Sequence, residues 1–333
     1  MGQSPDSASY NNDCIGLPLV QGNADMKNRI TVPQRYSSEP TKIVDKDTII
    51  LSVRAPVGTV GRSDQKVCLG RGVCGIVTEE QEFMYQYLLK HENSWKSIEQ
   101  GGTFTAINSD DIKSFKIYVP TKTESTKIAA FLSLVDERIE RQRQLIEALK
   151  RYKRGLFEWY FQRFSTEKKM RLGEVAKIYQ PITIAQSDFN NGEYKVFGAN
   201  GYIGNYDKYN HDKEQVTISC RGEKCGTVNY VDAFSWITGN SMVVNIDEQN
   251  LVDKRYLYHC LSNQNLKYLI SGSAQPQIVR GDVMRHAIPV PKLYAQIKLS
   301  QFFDNIETYI FTKEDQLKQV QKLKQGLLQQ MFI

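Results

Sequence analysis

Two stretches of the chain place apolar residues at alternating three- and four-residue steps, over a length no ordinary globular helix face requires. In the first stretch the repeating positions are Ile128, Leu132, Val135, Ile139, Gln142, Ile146, Leu149, Lys153, Leu156 and Tyr160. In the second they are Leu299, Phe303, Ile306, Ile310, Lys313, Leu317, Val320, Lys324, Leu327 and Met331. This spacing winds an apolar stripe along one side of a helix and specifies a coiled-coil seam. Eight of the ten positions are apolar in each stretch, and the polar breaks fall at the same two places. At about 1.5 Å per residue, roughly forty residues make a rod of about 60 Å. A lone helix would leave its stripe in water, so each needs a partner, and the other helix is the economical one. Because "WYFQRFSTEKKMRLG" (159–173) leads straight into another globular stretch, the expected pair is antiparallel with one globule at each end. The alternative arrangement folds each helix onto its own globule, which would spread apolar positions beyond a strict seam.

Ahead of each helix lies a mixed segment of short β-type runs and turns ("DTIILSVRAPVG", "QVTISCRG", "NSMVVNI"), closed by Val-Pro. These segments echo one another. Ser52 matches Ser219, Arg54 matches Arg221, and after one extra residue Gly58-Thr59-Val60 matches Gly226-Thr227-Val228. "GGTFTAINSDDIKSFKIYVP" (101–120) matches "GSAQPQIVRGDVMRHAIPVP" (272–291) at an offset of 291 − 120 = 171, pairing Gly101 with Gly272, Ile107 with Ile278, Ile112 with Val283 and Pro120 with Pro291. The same offset sets Lys127 on Lys298, Phe131 on Phe302, Ile139 on Ile310 and "GLF" (155–157) on "GLL" (326–328). The chain therefore reads as one unit written twice. The expected fold is α+β: two globular domains of mixed α/β structure, separated by a two-helix antiparallel coiled coil with an internal pseudo-twofold repeat. Its expected segments are a first domain at 1–120, a first helix at 121–164, a second domain at 165–291 and a second helix at 292–333.

Composition narrows the class without naming it. At 333 residues each half is long enough to bury its own core. No apolar run is long enough to span a bilayer and no secretory pattern opens the sequence, so a cytoplasmic protein is expected. The six cysteines (14, 68, 74, 220, 225, 260) form no CxxC pair, and the histidines at 91, 211, 259 and 286 lack metal-ligand spacing. Free thiols in a reducing compartment and no metal site are expected. The net charge of +6 suits a polyanionic partner without demanding one. More telling is the run from Arg138 to Arg154, where seven basic residues (138, 141, 143, 150, 151, 153, 154) face only Glu140 and Glu147. That run is either a solvated coiled-coil face, a surface beside DNA, or a dock for an acidic patch on a partner.

Catalytic patterns are missing. There is no Asp/Asn-Pro-Pro-aromatic loop with a Gly-rich cofactor turn, as a base methyltransferase needs, and no GxxxxGK[ST] phosphate loop. "SDDIKSF" (109–115) is the nearest thing to a nuclease carboxylate-lysine group, but its counterpart "RGDVMRH" (280–286) replaces Lys113 with Met284. No Cys-His or Ser-His pair has a supporting context. The expectation is a chain that is not an enzyme.

"MGQSPDSASYNNDCIGLPLVQGNADM" (1–26), "DTIILSVRAPVGTVGRSDQKVCLGRGV" (47–73), the Val-Pro before each long helix, and "LGEVAKI" (172–178) opening the second half resemble the specificity subunit of type I restriction-modification systems. The likeness covers nearly the whole chain, in the order globule, helix, globule, helix. It implies two target-recognition domains, each reading one part of a bipartite double-stranded DNA site. It also implies that the helices dock two methyltransferase subunits, with two restriction-translocase subunits joining for cleavage. On that pattern the chain carries no cofactor, and S-adenosylmethionine, ATP and Mg belong to the partners. One departure stands out: the second half begins "MRLGEVAKIYQPI" (170–182), whereas "MGQSP" has no equivalent strand ahead of it. The missing piece is expected either upstream of an internal start or from another part of the fold. A coiled-coil scaffold or decoy that holds methyltransferase subunits without reading DNA is the alternative function.

The repeat itself sorts candidate contacts. Two domains sharing a scaffold but reading different half-sites should agree where structure is needed and differ where bases are touched. Gly58/Gly226, Ile107/Ile278 and Pro120/Pro291 then mark turns, core and helix entry. Arg54 and Arg221, kept in both halves, fit a phosphate contact or a structural ion pair better than base reading. Base contacts are expected from the dissimilar stretches: Gln21, Asn23, Lys27, Arg29 and Arg35 in "QGNADMKNRITVPQR" (21–35), and Lys195, Asn200, Tyr202 and Lys208 in "YKVFGANGYIGNYDKY" (194–209). Asn and Gln can grip adenine and Arg guanine in bidentate pairs, while Lys serves mainly phosphate. Arg71 and Lys224 are further phosphate candidates.

Overall fold

A computed structural model describes residues 1–98, 106–163, 169–272 and 275–332. The two seams form the helices Lys122–Arg163 and Leu293–Met331. The chain divides into two units that do not follow chain order: Met1–Arg143 with Asp315–Ile333, and Gln144–Glu314. Each unit thus owns one half of both long helices.

The first unit carries two five-stranded sheets. In one, Leu17–Val20 lies between Arg35–Ser37 and Val67–Leu69; in the other, Ile49–Ser52 lies between Val73–Ile76 and Val60–Arg62. All four residues of Ile49–Ser52 are buried, which suits an apolar run, Ile49-Ile50-Leu51, inside a sheet. The second unit has a four-stranded sheet, ordered Lys177–Tyr179, Ser241–Asn245, Gln215–Ser219, Val228–Val231, and a three-stranded one built on the hairpin Tyr194–Gly198 and Gly201–Tyr206.

The repeat extends to individual hydrogen bonds. Gly58 N donates to Ser52 O (2.9 Å) and Gly226 N to Ser219 O (2.8 Å). Ile107 N donates to Val53 O (2.9 Å), and Ile278 N to Cys220 O (3.0 Å). Both glycines hold a left-handed backbone, φ +88° and +87°, which explains why both halves keep glycine there. Ile107 and Ile278 are both core residues. Gly101, the other proposed repeat partner, lies outside the described residues, as does Phe164.

Inside each unit the helices pair antiparallel. In the first, Leu132 and Leu328 share a cluster with Ala129, Phe332 and the globule's Phe83 and Tyr87. In the second, Phe157 packs against Phe303 with ring centroids 5.5 Å apart and planes inclined at 55°. Every one of the twenty seam positions is buried or half-buried. The apolar surface also spreads beyond the seam, through Ala129, Phe157 and Leu328, where the helix pair meets a globule. Seam pairing and packing on a globule, posed as alternatives by the sequence, coexist.

The polar breaks have partners. Lys324 Nζ donates to both Asp136 oxygens (2.6 and 2.8 Å) in the first unit, and Lys153 pairs with Glu307 in the second. Since 153 + 171 = 324 and 136 + 171 = 307, these are one ion pair made twice by a pseudo-twofold repeat.

The halves differ in one respect. In the second unit Lys169–Arg171 pairs with Ala287–Pro289 and Lys177–Tyr179 pairs with Val243–Asn245, while Leu172, Val175 and Ile178 enter the core. Full burial of each such side chain stabilises by about 1.5–3 kcal/mol. No other part of the described chain supplies this piece to the first unit, where Val73–Ile76 is an edge strand.

Candidate nucleic-acid interface

In the first unit, backbone bonds gather three of the candidates. Val53 N donates to Gly72 O (2.9 Å) and Gly70 N to Val20 O (2.8 Å), so the residues next along the chain, Arg54, Arg71 and Gln21, sit on adjoining loops. Arg54 and Arg71 are exposed. Arg71 lies against Ser4, its Nε 3.4 Å from the hydroxyl. Gln21 is half-buried, its backbone N bonded to Asp25 Oδ2 (2.7 Å) and its Nε2 to the Tyr10 hydroxyl (3.3 Å). Asn23, half-buried, opens the short helical turn Asn23–Asp25.

Lys27 and Arg35, both exposed, belong to different sheets, so the stretch 21–35 does not form one reading surface. Arg29 is already engaged within the fold. It sits with Asn28 at a hairpin tip, both at positive φ (71° and 52°). Its guanidinium pairs with Glu92, Nη2 lying 2.9 Å from Oε2, and donates to Val60 O (3.1 Å). The side chain ties a strained turn to a neighbouring helix instead of presenting a free fork to a base.

In the second unit the hairpin Tyr194–Gly198 and Gly201–Tyr206 carries Lys195 and Tyr202, with Asn200 at its tip. Ser219 Oγ donates to Ala199 O (2.5 Å), which brings that tip beside the turn bearing Arg221 and Lys224, both exposed. Lys195 pairs with Asp232 (3.2 Å), and the Tyr202 hydroxyl donates to Asn205 (2.9 Å). Lys208 is exposed in the loop that follows. Three aromatic residues the sequence did not single out adjoin this hairpin: Tyr209 packs edge-on to Tyr194 and to Phe234, with centroids 5.0 and 5.3 Å apart. Exposed aromatics among basic side chains were the available signal. Such rings can meet thymine methyls or stack on bases.

Arg54 and Arg221 occupy equivalent places, bridging Ala106 and Gln277 through the backbone, and 106 + 171 = 277. Equivalent, exposed and cationic, they fit a contact common to both half-sites better than one specific to either.

The acidic candidate "SDDIKSF" is a helix start. Asn108 accepts from the backbone of Asp110 and Asp111, and Asp111 Oδ2 accepts from Asn108 N (2.9 Å). That capping box accounts for the carboxylates. The six cysteines are free; burial pushes Cys74 up to about 11 and Cys260 up to about 12, so these thiols stay protonated. One cluster was not legible from spacing: His259, Asp304 and Glu307 bring ligand-type atoms within 4.8 Å of one another. His259 Nε2 is 2.8 Å from Asp304 Oδ1, but Arg255 holds Asp304 (2.8 Å) and Lys153 holds Glu307. Those cations already balance the carboxylates a metal would need. Along the basic run, Arg141 pairs with Glu137 (3.1 Å) and Lys150 with Glu314 (2.8 Å), while Arg138, Arg151 and Arg154 are exposed.

The family model described as type I restriction modification DNA specificity domain matches residues 2–151 and again 165–322. A putative type I restriction enzyme MjaX specificity subunit of Methanocaldococcus jannaschii is 37% identical over 160 residues, which span 47% of this chain and 38% of that one. The MjaIX specificity subunit of the same organism is 25% identical over 335 residues, covering 86% of this chain and 77% of that one. Among solved structures, the S subunit of a type I restriction-modification system from M. genitalium superposes with a TM-score of 0.65 at 17% identity, covering 100% of this chain and 92% of that one. That likeness bears on the fold.

Proposed function

The chain belongs to the type I restriction modification DNA specificity family, and from that premise we propose that it is a non-catalytic subunit that reads a bipartite DNA site and directs a methyltransferase and a restriction enzyme to it. The observation that carries this reading is the double match: the family's DNA specificity domain fits each half of the chain separately. Each half also presents its own exposed cationic turn, at Arg54 and Arg221. In this reading the arginine of each turn, with Arg71 and Lys224, holds phosphate. Sequence is read by Gln21, Asn23, Lys27 and Arg35 for one half-site, and by Lys195, Asn200, Tyr202 and Lys208 for the other. Arg29, exposed but paired with Glu92, would have to exchange that partner to join the set.

The long helices serve a second purpose. Leu145, Tyr152 and Trp159 recur every seventh residue and are exposed, as are Phe302 and Tyr309 on the second helix. Such stripes suit a further layer of helices, and we assign them to two methyltransferase subunits, with two restriction-translocase subunits completing the assembly in the cytoplasm. S-adenosylmethionine, ATP and Mg would be held by those partners. No described helix is long and apolar enough to cross a membrane. The paired helices would set the spacing between half-sites.

Mapping methylated bases in a genome expressing this chain with its cognate methyltransferase tests the proposal. A split motif with a fixed gap is expected, and deleting seven residues from each long helix should change the preferred gap. Methylation without a split motif, or a gap indifferent to the deletion, rejects it.

A further inference from the structure

The turn that carries Arg54 in the first unit and Arg221 in the second is held by the same backbone bonds but filled with different side chains. Ser52 N donates to Thr59 O (2.9 Å) and Ser219 N to Thr227 O (2.8 Å). Val53 N donates to Gly72 O (2.9 Å) and Cys220 N to Asn240 O (3.0 Å). Each turn closes on its left-handed glycine, Gly58 or Gly226, whose N–H reaches the repeated serine. Val53 therefore corresponds to Cys220, and Val57, the residue before Gly58, corresponds to Cys225. The first unit has a valine pair at the base of its turn, and the second a pair of thiols.

The backbone sets those thiols against each other. Because Gly226 N bonds Ser219 O, the residues one step outward, Cys220 and Cys225, oppose one another across the base of the turn. Opposed residues of an antiparallel pair lie about 4.5–5.5 Å apart at Cα, within the roughly 4.4–6.8 Å that a disulfide spans. Both thiols point to the same side. Cys220 belongs to the second unit's core and Cys225 packs against that core, as Val53 and Val57 share the first. Cys220 is 0% exposed and Cys225 half-buried, while the four residues between them are exposed. Burial raises both thiols, and Cys220 adds to the rise at Cys225. Their reaction is accordingly slow, so the pair answers sustained oxidation and not a brief pulse.

We propose that Cys220 and Cys225 are a reversible dithiol–disulfide pair that clamps the turn bearing Arg221 and Lys224, placing one of the two cationic turns under the control of a hydroperoxide. The half-buried Cys225 sulfur attacks one peroxide oxygen, the O–O bond breaks, and water leaves with the thiol proton, giving a sulfenic acid. The Cys220 sulfur then attacks the Cys225 sulfur. The S–S bond forms, the S–O bond breaks, and a second water carries off the Cys220 proton. The two sulfurs supply the two electrons that reduce the peroxide, and a low-molecular-weight thiol reverses the step. Closure ends the Cys220 thiol's donation to Asn240 O (3.2 Å) and draws the Lys224 end of the turn inward. The effect on DNA rests on the reading of Arg221 and Lys224 as phosphate contacts; the disulfide does not.

The test treats the full chain with hydrogen peroxide, removes the oxidant, and digests with trypsin without reduction. Cleavage after Arg221 and Lys224 leaves Cys220 on 214–221 and Cys225 on 225–254, so mass spectrometry reports the bond as two linked peptides. Most of the chain should carry that link, and dithiothreitol should remove it. Mixed with its cognate methyltransferase, the oxidised chain should bind duplex carrying the mapped methylation motif at least threefold more weakly than the reduced one. A chain with Cys220→Val and Cys225→Val, which copies the first unit, should keep its affinity through the same treatment. Peroxide that leaves the two peptides unlinked overturns the proposal, as does a linked chain with undiminished affinity or an equal loss in the valine variant. A reduced chain that adds no duplex binding to the methyltransferase would instead refute the proposed function, and the peptide map would still decide the pair.

Discussion

Gly58 and Gly226 share a conformation but not a neighbourhood. A Cβ added at Gly58 would lie 2.6 Å from Trp95 Cβ and 3.0 Å from Glu92 O, whereas one at Gly226 would meet nothing closer than 3.8 Å. Both substitutions strain a left-handed backbone, worth about 1 kcal/mol, but only the first also forces a core tryptophan to move. Gly226→Ala should therefore cost about 1 kcal/mol and Gly58→Ala about 2–4 kcal/mol, read from denaturant unfolding; equal costs would mean Trp95 yields freely. The equivalence of these glycines was legible because the sequence repeats itself. The fate of Arg29 was not: its partner Glu92 lies 63 residues away in a dissimilar stretch, and no local pattern announces a pairing of that kind. Residue roles set by the repeat could be read in advance, while those set by tertiary pairing could not.

At the scale of elements, the seam was the most legible feature, down to its polar breaks, yet the carboxylates opposite them were not foreseen. Lys324 is 8% exposed, and burial pushes its ammonium below the usual lysine range while Asp136 pulls it back. Gln86 Nε2 also donates to Asp136 (2.7 Å), so buried Gln86 and Lys324 meet on a half-buried carboxylate between helix pair and globule. Removing one member leaves a charge without its partner, which costs about 3–5 kcal/mol for a buried pair. The Asp136 side chain is 36% exposed and can take up water in place of the ammonium, so Lys324→Ala should cost less, about 1–3 kcal/mol. Arg141→Ala, which loses only the exposed contact to Glu137, should cost about 0–1 kcal/mol. Replacing all three members, Lys324→Met and Asp136→Leu with Gln86→Leu, should recover most of the loss, because matched apolar groups need no compensation. Lys324→Met with Asp136→Leu alone should recover only part, since the buried Gln86 amide loses its acceptor. Thermal or urea unfolding of the single, double and triple variants decides it: a triple variant as unstable as the single ones would mean the charges hold the helices in register. Repetition of the same ion pair as Lys153–Glu307 makes a register role testable in both units.

At the scale of the whole molecule the two units, alike in plan, should respond differently to acid. Three of the four histidines, His211, His259 and His286, lie in the unit Gln144–Glu314, and burial pushes each of them below its ordinary value of 6.5. His259 is the most enclosed; Asp304 and Glu307 pull it back up, and Lys153 adds to the downward push. The unfolded chain takes up protons near pH 6.5 while these folded imidazoles resist them. The stability they contribute is thus complete above that pH and is lost as pH falls toward their depressed folded values. Between pH 7 and pH 5.5 amide protection should fall in the second unit before the first, with His259→Gln softening the drop. Hydrogen exchange resolved by peptide would show it, and a first unit that opens earlier, or a pH-independent second unit, would refute it. Since each unit owns half of each long helix, opening of one frees its half of the seam while the other half stays paired. Acid should then fray both long helices in their Gln144–Arg163 and Leu293–Glu314 portions and leave 122–143 and 315–331 protected. That pattern follows only if the contacts dividing the chain also divide its cooperativity, which fraying along the whole length of both helices at once would disprove.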